Sequence, residues 1–154
     1  MKRKAVLMTT MAIALLLVSA GVALAATIHC DGACFGTLDD DRMYGSANDN
    51  LMLADAGNDK VYGRDGEDYL EGDSGRDLLV GGSGADTLDA ETSEMPSGPP
   101  DTIKAGANSD IILARNRKSD RIDCGRGPVD DDDIAIVDID GSDRARNCEL
   151  VVDH

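Results

Sequence analysis

A nine-residue pattern repeats six times without a gap between Gly36 and Asp89, and it limits what this chain of 154 residues can fold into. The blocks begin at Gly36, Gly45, Ala54, Gly63, Gly72 and Gly81. The sixth place always carries a side-chain oxygen, in Asp41, Asn50, Asp59, Asp68, Asp77 and Asp86. The eighth place is always apolar, in Met43, Met52, Val61, Leu70, Leu79 and Leu88. Six blocks in one phase predict a repeat architecture.

The spacing predicts short strands joined by tight turns. Glycine supplies the positive-φ corners of such turns, and the last four blocks have it at their fourth place, as Gly57, Gly66, Gly75 and Gly84. The apolar triplets are too short for helices but suit half-buried strands. If two blocks make one coil, residues eighteen apart stack, and the sixth-place residues form two columns on opposite edges. Carboxylates held about 4.8 Å apart repel each other, so the pattern predicts cations between them.

The blocks resemble the haemolysin-type (RTX) calcium-binding nonapeptide, G-G-x-G-x-D-x-U-x with U apolar. GGSGADTLD matches every specified place, whereas GRDGEDYLE and GDSGRDLLV lack only the second glycine. The first two blocks diverge, with Asp39 or Asn48 at the fourth place and Asn50 at the sixth. The resemblance implies an all-β fold, a parallel β-roll (β-helix solenoid) of stacked nonapeptide turns. A Gly/Asp-rich disordered linker is the alternative, but it would not keep the eighth place in register.

The resemblance also implies the ligands. In the family, sixth-place carboxylates of two stacked turns share one Ca²⁺ with carbonyls of the glycine region, and calcium takes six or more oxygens. The implied metal-binding residues are Asp41, Asn50, Asp59, Asp68, Asp77, Asp86, Asp101, Asp110, Gly57, Gly66, Gly75 and Gly84. The pairs 41/59, 59/77, 50/68 and 68/86 predict about four ions, and 77/101 and 86/110 would add more.

The first 25 residues read as a secretory signal peptide. Lys2, Arg3 and Lys4 precede a long apolar run that ends at the small-residue site Ala23-Leu24-Ala25. The alternative is an uncleaved membrane anchor, since Ala5 to Leu24 nearly reaches the length of a membrane span. We expect cleavage after Ala25 and a secreted, extracellular protein.

Charge and composition restrict the partners. The net charge is −15, and losing the three basic residues of the leader makes it −18. This balance argues against nucleic-acid binding and against contact with anionic membranes. With one Phe, three Tyr and no Trp, the chain has little aromatic mass for a core. We therefore expect metal binding to supply much of the folding free energy.

Four cysteines in an exported chain predict disulfides. Three pairings are open, and the stacked coils, which hold the two ends apart, favour Cys30–Cys34 and Cys124–Cys148. The alternatives are reduced thiols or a zinc site, and a zinc site would need more ligands than His29 or His154 supply. Residues 26–35 are interpreted as an N-terminal cap and 124–154 as a C-terminal cap closed by its disulfide.

The rhythm breaks after Asp89 and then resumes. Residues 90–100 read as a Pro/Ser/Gly insertion loop, and 101–123 as degenerate repeats with Asp101, Asp110 and Asp120 in sixth places. The acidic run Asp130 to Asp133 is interpreted as a solvated loop. A nearby basic cluster, including Lys118, is interpreted as charge neutralisation at the end of an acidic stack.

The sequence therefore predicts a calcium-binding β-roll with calcium-dependent folding. The alternative is an extracellular adhesion or structural module whose calcium only rigidifies a partner-binding surface. No HExxH, GxSxG or Cys/His constellation is present, so an enzyme is not expected. Beyond the leader, the sequence contains no apolar segment that would indicate a membrane-inserting protein. A protein or cell-surface partner is not identified by the sequence.

Overall fold

The structure, a computed structural model, describes residues 25–90, 99–125, 132–138 and 142–153. Within these ranges the chain forms only strands, bridges and turns. The predicted leader up to Leu24 and residues 91–98 of the predicted loop lie outside them, as does His154. No helix in the described ranges is long and apolar enough to span a membrane.

Fourteen short strands follow one another in the part of the chain that the structure describes. They are β1 (Thr27–His29), β2 (Ala33–Phe35), β3 (Arg42–Tyr44), β4 (Leu51–Leu53), β5 (Lys60–Asp65), β6 (Tyr69–Glu71), β7 (Leu78–Ser83), β8 (Thr87–Asp89), β9 (Thr102–Ala107), β10 (Ile111–Ala114), β11 (Arg121–Gly125), β12 (Ile134–Val137), β13 (Arg144–Arg146) and β14 (Leu150–Asp153). Each begins directly after a sixth-place residue, or after its equivalent at the ends, because the polar turn finishes there.

The strands form two parallel sheets of seven strands each. One sheet has the order β1-β3-β5-β7-β9-β11-β13, and the other β14-β12-β10-β8-β6-β4-β2. Between adjacent complete repeats the register is eighteen residues, as where Met43 pairs with Val61 and Val61 with Leu79. One coil therefore contains two blocks, one strand in each sheet. The predicted parallel β-roll is confirmed.

The core is a narrow column of small and medium-sized side chains between the sheets. The eighth-place residues are fully buried, from Met43 and Met52 to Ile103 and Ile112. Besides the eighth place, the first place of the block also faces inward. Buried alanine or cysteine occupies this place at Ala54, Ala90, Ala105, Ala114 and Cys124. Small residues there leave room for the eighth-place side chains.

A disulfide lies near each end of the stack. Cys30 is bonded to Cys34 and Cys124 to Cys148, which confirms the predicted local pairing. Cys34 stands in register with Met52, at an eighth place, and Cys124 is fully buried at a first place. Both bonds thus replace core side chains by a covalent link where fewer apolar neighbours are available.

The coils continue through the segment after Cys124. β12 pairs with β10, and β13 pairs with β11, with Ala135 beside Ile112 and Ala145 beside Ile122. Asp133, just before β12, is only 2% exposed. Its interpretation as part of a solvated acidic loop is therefore wrong, because the strand that follows carries it into the turn of the next coil.

Candidate metal centre

The sixth-place residues form two columns, one along each edge of the roll. The first column contains Asp41, Asp59, Asp77, Asp101, Asp120 and Asp143. The second column contains Asn50, Asp68, Asp86, Asp110 and Asp133. Every residue named from the sequence for the sixth place lies in one of these columns. The two columns are separated by the core and do not meet.

One carboxylate oxygen of each aspartate is used to stack the coils. The Oδ1 atom of Asp59 accepts the backbone N–H of Asp41 at 2.7 Å, and Oδ1 of Asp77 accepts that of Asp59 at 2.8 Å. The second column repeats this contact, where Oδ1 of Asp86 accepts the N–H of Asp68 at 2.9 Å. The aspartates therefore link consecutive coils through charge-assisted hydrogen bonds even before any ion is considered.

In the middle of both columns, the second carboxylate oxygen has no hydrogen-bond partner. The Oδ2 atoms of Asp59, Asp68, Asp77 and Asp86 are buried and have no hydrogen-bond partner. A buried carboxylate oxygen without a partner is costly, because it has lost water and gained nothing in return. Four such oxygens in register require a cation or a proton.

The first coil differs, because donors of its own turns form hydrogen bonds with the side-chain oxygens of Asp41 and Asn50. Thr37 donates to Oδ2 of Asp41 from its backbone nitrogen at 2.6 Å and from its hydroxyl at 3.0 Å. Ser46 donates its backbone N–H to Oδ1 of Asn50 at 2.7 Å. Asp41 and Asn50, both in the implied ligand set, thus have weaker need of an ion than the aspartates that follow.

Glycines keep the turns open around the unpaired oxygens. A Cβ added to Gly63 would lie 2.3 Å from Oδ2 of Asp68 and 2.7 Å from the carbonyl oxygen of Gly81. The fourth-place glycines have positive φ and stack directly, so that a Cβ on Gly75 would lie 1.6 Å from the carbonyl oxygen of Gly57. Side chains are excluded, and main-chain carbonyls line the turns beside the carboxylates.

Positive φ also occurs at the second place of the later blocks, where the family pattern has glycine. Asp55, Arg64 and Asp73 have φ values of 71°, 87° and 62°, and Gly82 has 128°. Three non-glycine residues therefore adopt the backbone of the missing second glycine. The departures from the pattern change side chains there without changing the course of the turn.

Burial raises the pKa of these carboxyls when no cation is present. Desolvation raises the pKa of Asp59 to about 6 and that of Asp86 to about 7. For Asp77, burial in the turn, reinforced by the charges of Asp101 and Asp59, raises the pKa to about 8. At neutral pH, the metal-free turns are therefore poised between binding a proton and binding a metal.

The donors available suit a hard cation held partly by the main chain. Among the described residues, no three His, Cys, Asp or Glu side chains converge as a metal cluster. Each ion would therefore draw on carboxylates of consecutive coils together with turn carbonyls, all of them oxygen. Such ligands suit Ca²⁺, which accepts irregular sets of six to eight oxygens, better than Zn²⁺ or copper, which favour nitrogen and sulfur. The residues present fit calcium.

The structure also places three aspartates in the columns that the implied ligand set omits. Asp120 and Asp143 extend the first column and Asp133 the second. The sequence pattern indicates Asp120 as a sixth-place residue, but it does not indicate Asp133 or Asp143. Their signal is D-x-A-x, in DIAI and DRAR, where alanine replaces the larger apolar residue at the eighth place.

Comparison with known families agrees with this geometry. The family model of the RTX calcium-binding nonapeptide repeat, which spans four copies, matches residues 35–70 and residues 62–92. Residues 35–92 therefore match the RTX calcium-binding nonapeptide repeat. Neither the curated proteins nor the solved structures gave a match to the chain.

RTX repeats bind calcium in a β-roll, and they are structural rather than catalytic. They are typical of secreted proteins, and the two disulfides fit an extracellular setting. Calcium binding is thus an activity of the family to which the repeats of this chain conform.

Proposed function

We propose that this chain is a secreted, non-enzymatic protein that binds several Ca²⁺ ions between its stacked RTX turns and folds fully only when they are bound. The observation that carries the proposal is the row of buried, unpaired carboxylate oxygens on Asp59, Asp68, Asp77 and Asp86. Each belongs to a block with fourth-place glycine, where the turn is open. These four side chains mark the turns where calcium is held.

Electrostatics supports the calcium dependence of folding. Without cations, consecutive carboxylates of a column stand about one strand spacing apart, roughly 4.8 Å, in a turn shielded from water. The core offers few large side chains to offset this repulsion, because most first places are glycine or alanine. Binding energy from ions that recognise only the folded chain then becomes folding energy.

Secretion is supported by the start of the sequence and by the disulfides of the structure. The basic start and apolar run of the first 25 residues have the layout of a signal peptide. Both disulfides need an oxidising compartment to form and persist. Calcium is near millimolar outside cells, so modest affinity per ion would keep the roll folded there.

The test is a titration of the oxidised protein from chelator to 10 mM Ca²⁺, monitored by calorimetry and by far-UV circular dichroism. We expect cooperative uptake of several ions with gain of β-structure, and no comparable response to Mg²⁺, which needs a tighter octahedron. The matched pair of variants is Asp68→Asn with Asp86→Asn, against Asp49→Asn with Asp65→Asn on the exposed turn surface. Equal calcium uptake by both double variants, or an unchanged spectrum of the native protein, would contradict the proposal.

A second candidate function rests on the outer face of the first sheet. The rings of His29, Tyr44 and Tyr62 stack along it, with centroids 5.5 and 5.2 Å apart, and Arg64 lies over Tyr44. An ordered aromatic row on a calcium-rigidified sheet suits adhesion to a partner. In that case Tyr44→Ser with Tyr62→Ser would abolish calcium-dependent adsorption to cells or polysaccharide while leaving calcium uptake unchanged. Equal adsorption by that variant would exclude this face.

A further inference from the structure

Lys118 places a buried positive charge inside the first column. Its side chain is 4% exposed, and its ammonium nitrogen lies 3.3 Å from Oδ2 of Asp101. The same nitrogen lies 3.5 Å from the carbonyl oxygen of Gly75. Gly75 is the fourth-place glycine of the block that contains Asp77, and Asp101 is the sixth-place residue one coil further on. The ammonium therefore stands between two consecutive coils.

The oxygens around Lys118 are of the two kinds that a calcium ion would use in these turns. One is a fourth-place carbonyl from the earlier coil, and the other is a sixth-place carboxylate from the later coil. Elsewhere in the column, the corresponding carboxylate oxygens of Asp59 and Asp77 have no hydrogen-bond partner. At Asp101 that role is taken by a cation belonging to the chain itself.

An irregularity in the repeat positions this lysine. The block from Ala114 to Asp123 has ten residues, whereas the six blocks from Gly36 to Asp89 have nine each. The backbone of Lys118 is held by two contacts: its N–H donates to Oδ1 of Asn116 at 2.9 Å, and its carbonyl accepts the Ser142 hydroxyl at 2.7 Å. Because the backbone is fixed in this way, the side chain runs back along the column toward the preceding coil.

Charge makes the ammonium and a calcium ion mutually exclusive at this place. A buried lysine is costly unless paired, so its contact with Asp101 accounts for its position inside the protein. Calcium needs its oxygens at about 2.3–2.6 Å, and a cation already in contact with Asp101 would repel it and occupy the same space. One of the two can be present between these coils.

We propose that the ammonium group of Lys118 takes the place of a calcium ion between the coils of Asp77 and Asp101. This inference rests on the proposed function, because it assigns one step of the same column to a covalently attached cation. The pair 77/101, which the sequence suggests as an additional calcium site, then holds no metal. The coils of Asp77 and Asp101 are then linked by a cation of the chain itself, whereas the earlier turns depend on calcium.

The first test counts calcium ions by equilibrium dialysis of the oxidised full chain. Lys118→Ala opens the position, and we expect it to bind one more ion per molecule than the native protein. Lys104→Ala is the matched control, because Lys104 is an exposed lysine in β9, two residues after Thr102. An ion count for Lys118→Ala equal to that of the native protein and the control would overturn the inference.

The second test needs no variant and therefore does not depend on how Lys118→Ala folds. The native protein, saturated with calcium, is treated with an amine-acetylating reagent and analysed by peptide mass spectrometry. We expect Lys60 and Lys104 to be modified and Lys118 to be protected at least tenfold. Modification of Lys118 at the rate of Lys60 would mean that calcium has displaced it, which overturns the inference.

The two proposals fail in different ways. If the native protein binds no calcium, the proposed function is wrong. If it binds several ions and Lys118→Ala adds none, only the role of Lys118 is wrong.

Discussion

Asp86→Asn separates the two roles of a sixth-place aspartate. Asp86 is 1% exposed, and its Oδ1 accepts the N–H of Asp68 at 2.9 Å. Asparagine keeps an oxygen for this hydrogen bond but removes the negative charge. In Asp86 that charge is carried by a carboxylate whose Oδ2 has no hydrogen-bond partner. The substitution therefore stabilises the metal-free protein and weakens its response to calcium.

The size of the first effect follows from the pKa of Asp86. Burial, followed by the charges of Asp68 and Glu67, raises this pKa from 3.8 to about 7. The folded protein thus binds the proton more tightly than the unfolded chain, and metal-free stability is lost as the pH rises from about 4 towards 7. Three pKa units correspond to about 4 kcal/mol, which we halve to about 2 kcal/mol for screening by water at the turn. At pH 8 in chelator, Asp86→Asn should raise Tm by about 4–8 °C.

The second effect has the opposite sign. For an extracellular site with a Kd near 0.1 mM, one ion adds about 2.7 kcal/mol of stability in 10 mM calcium. Loss of one ion should therefore reduce the calcium-induced rise in Tm by about 5–11 °C. The curves of the variant and the native protein should cross as calcium increases.

The assay is thermal unfolding followed by circular dichroism at pH 8, in chelator and in 10 mM calcium, with a repeat in chelator at pH 4. Asp65→Asn is the control, because Asp65 is exposed and should leave both transitions within 1–2 °C, as is usual for surface substitutions. At pH 4 the gain of Asp86→Asn in chelator should disappear. If the variant changes stability equally in chelator and in calcium, the charge of Asp86 does not bind an ion and the reasoning is refuted.

Three further predictions concern the turn, the disulfide and pH. Gly63→Ala should destabilise the calcium-loaded protein by about 1–3 kcal/mol and remove one bound ion, because its Cβ would press on Oδ2 of Asp68; calorimetric titration measures both. Replacing Cys124 and Cys148 by alanine should cost about 3 kcal/mol in denaturant unfolding, because the bond closes a loop across a sequence separation of 24. Calcium affinity should fall as the pH is lowered from 8 to 5, because protons compete for carboxyls such as Asp77, whose pKa burial raises to about 8.

Each of these has an outcome that would contradict it. A Gly63→Ala protein with unchanged ion count would show that Oδ2 of Asp68 does not face a cation. An alanine pair at Cys124 and Cys148 that unfolds at the native denaturant concentration would mean that the last coils do not limit stability. Calcium affinity independent of pH would mean that the column carboxyls are ionised throughout the range.

Much of the fold was readable from local periodicity. A glycine-rich turn followed by one inward apolar residue can repeat every nine residues only as a stack of short strands, so the two sheets and the stacking of Asp59 on Asp77 followed directly. The disulfide pairing also followed, because the stack separates Cys30 and Cys34 from Cys124 and Cys148. These features depend on residues close in sequence or one coil apart.

The last aspartates of the columns are harder to predict from the sequence, because the apolar pattern weakens there. Asp133 and Asp143 precede Ala135 and Ala145, and alanine gives little indication of which face points inward. Only the pairing of β12 with β10 and of β13 with β11 brings those aspartates into line with the earlier turns.

The sequence by itself determined the period, the parallel roll and the two aspartate columns, because each is fixed by a pattern that every block repeats. Tertiary structure alone decided which carboxylate oxygens are unpaired. Thr37 satisfies Asp41 within its own turn, but Lys118 reaches Asp101 from a later coil, at a place where one extra residue has shifted the repeat. Periodicity predicts what is repeated, whereas the contacts of a single exceptional side chain depend on where the stacked coils place it.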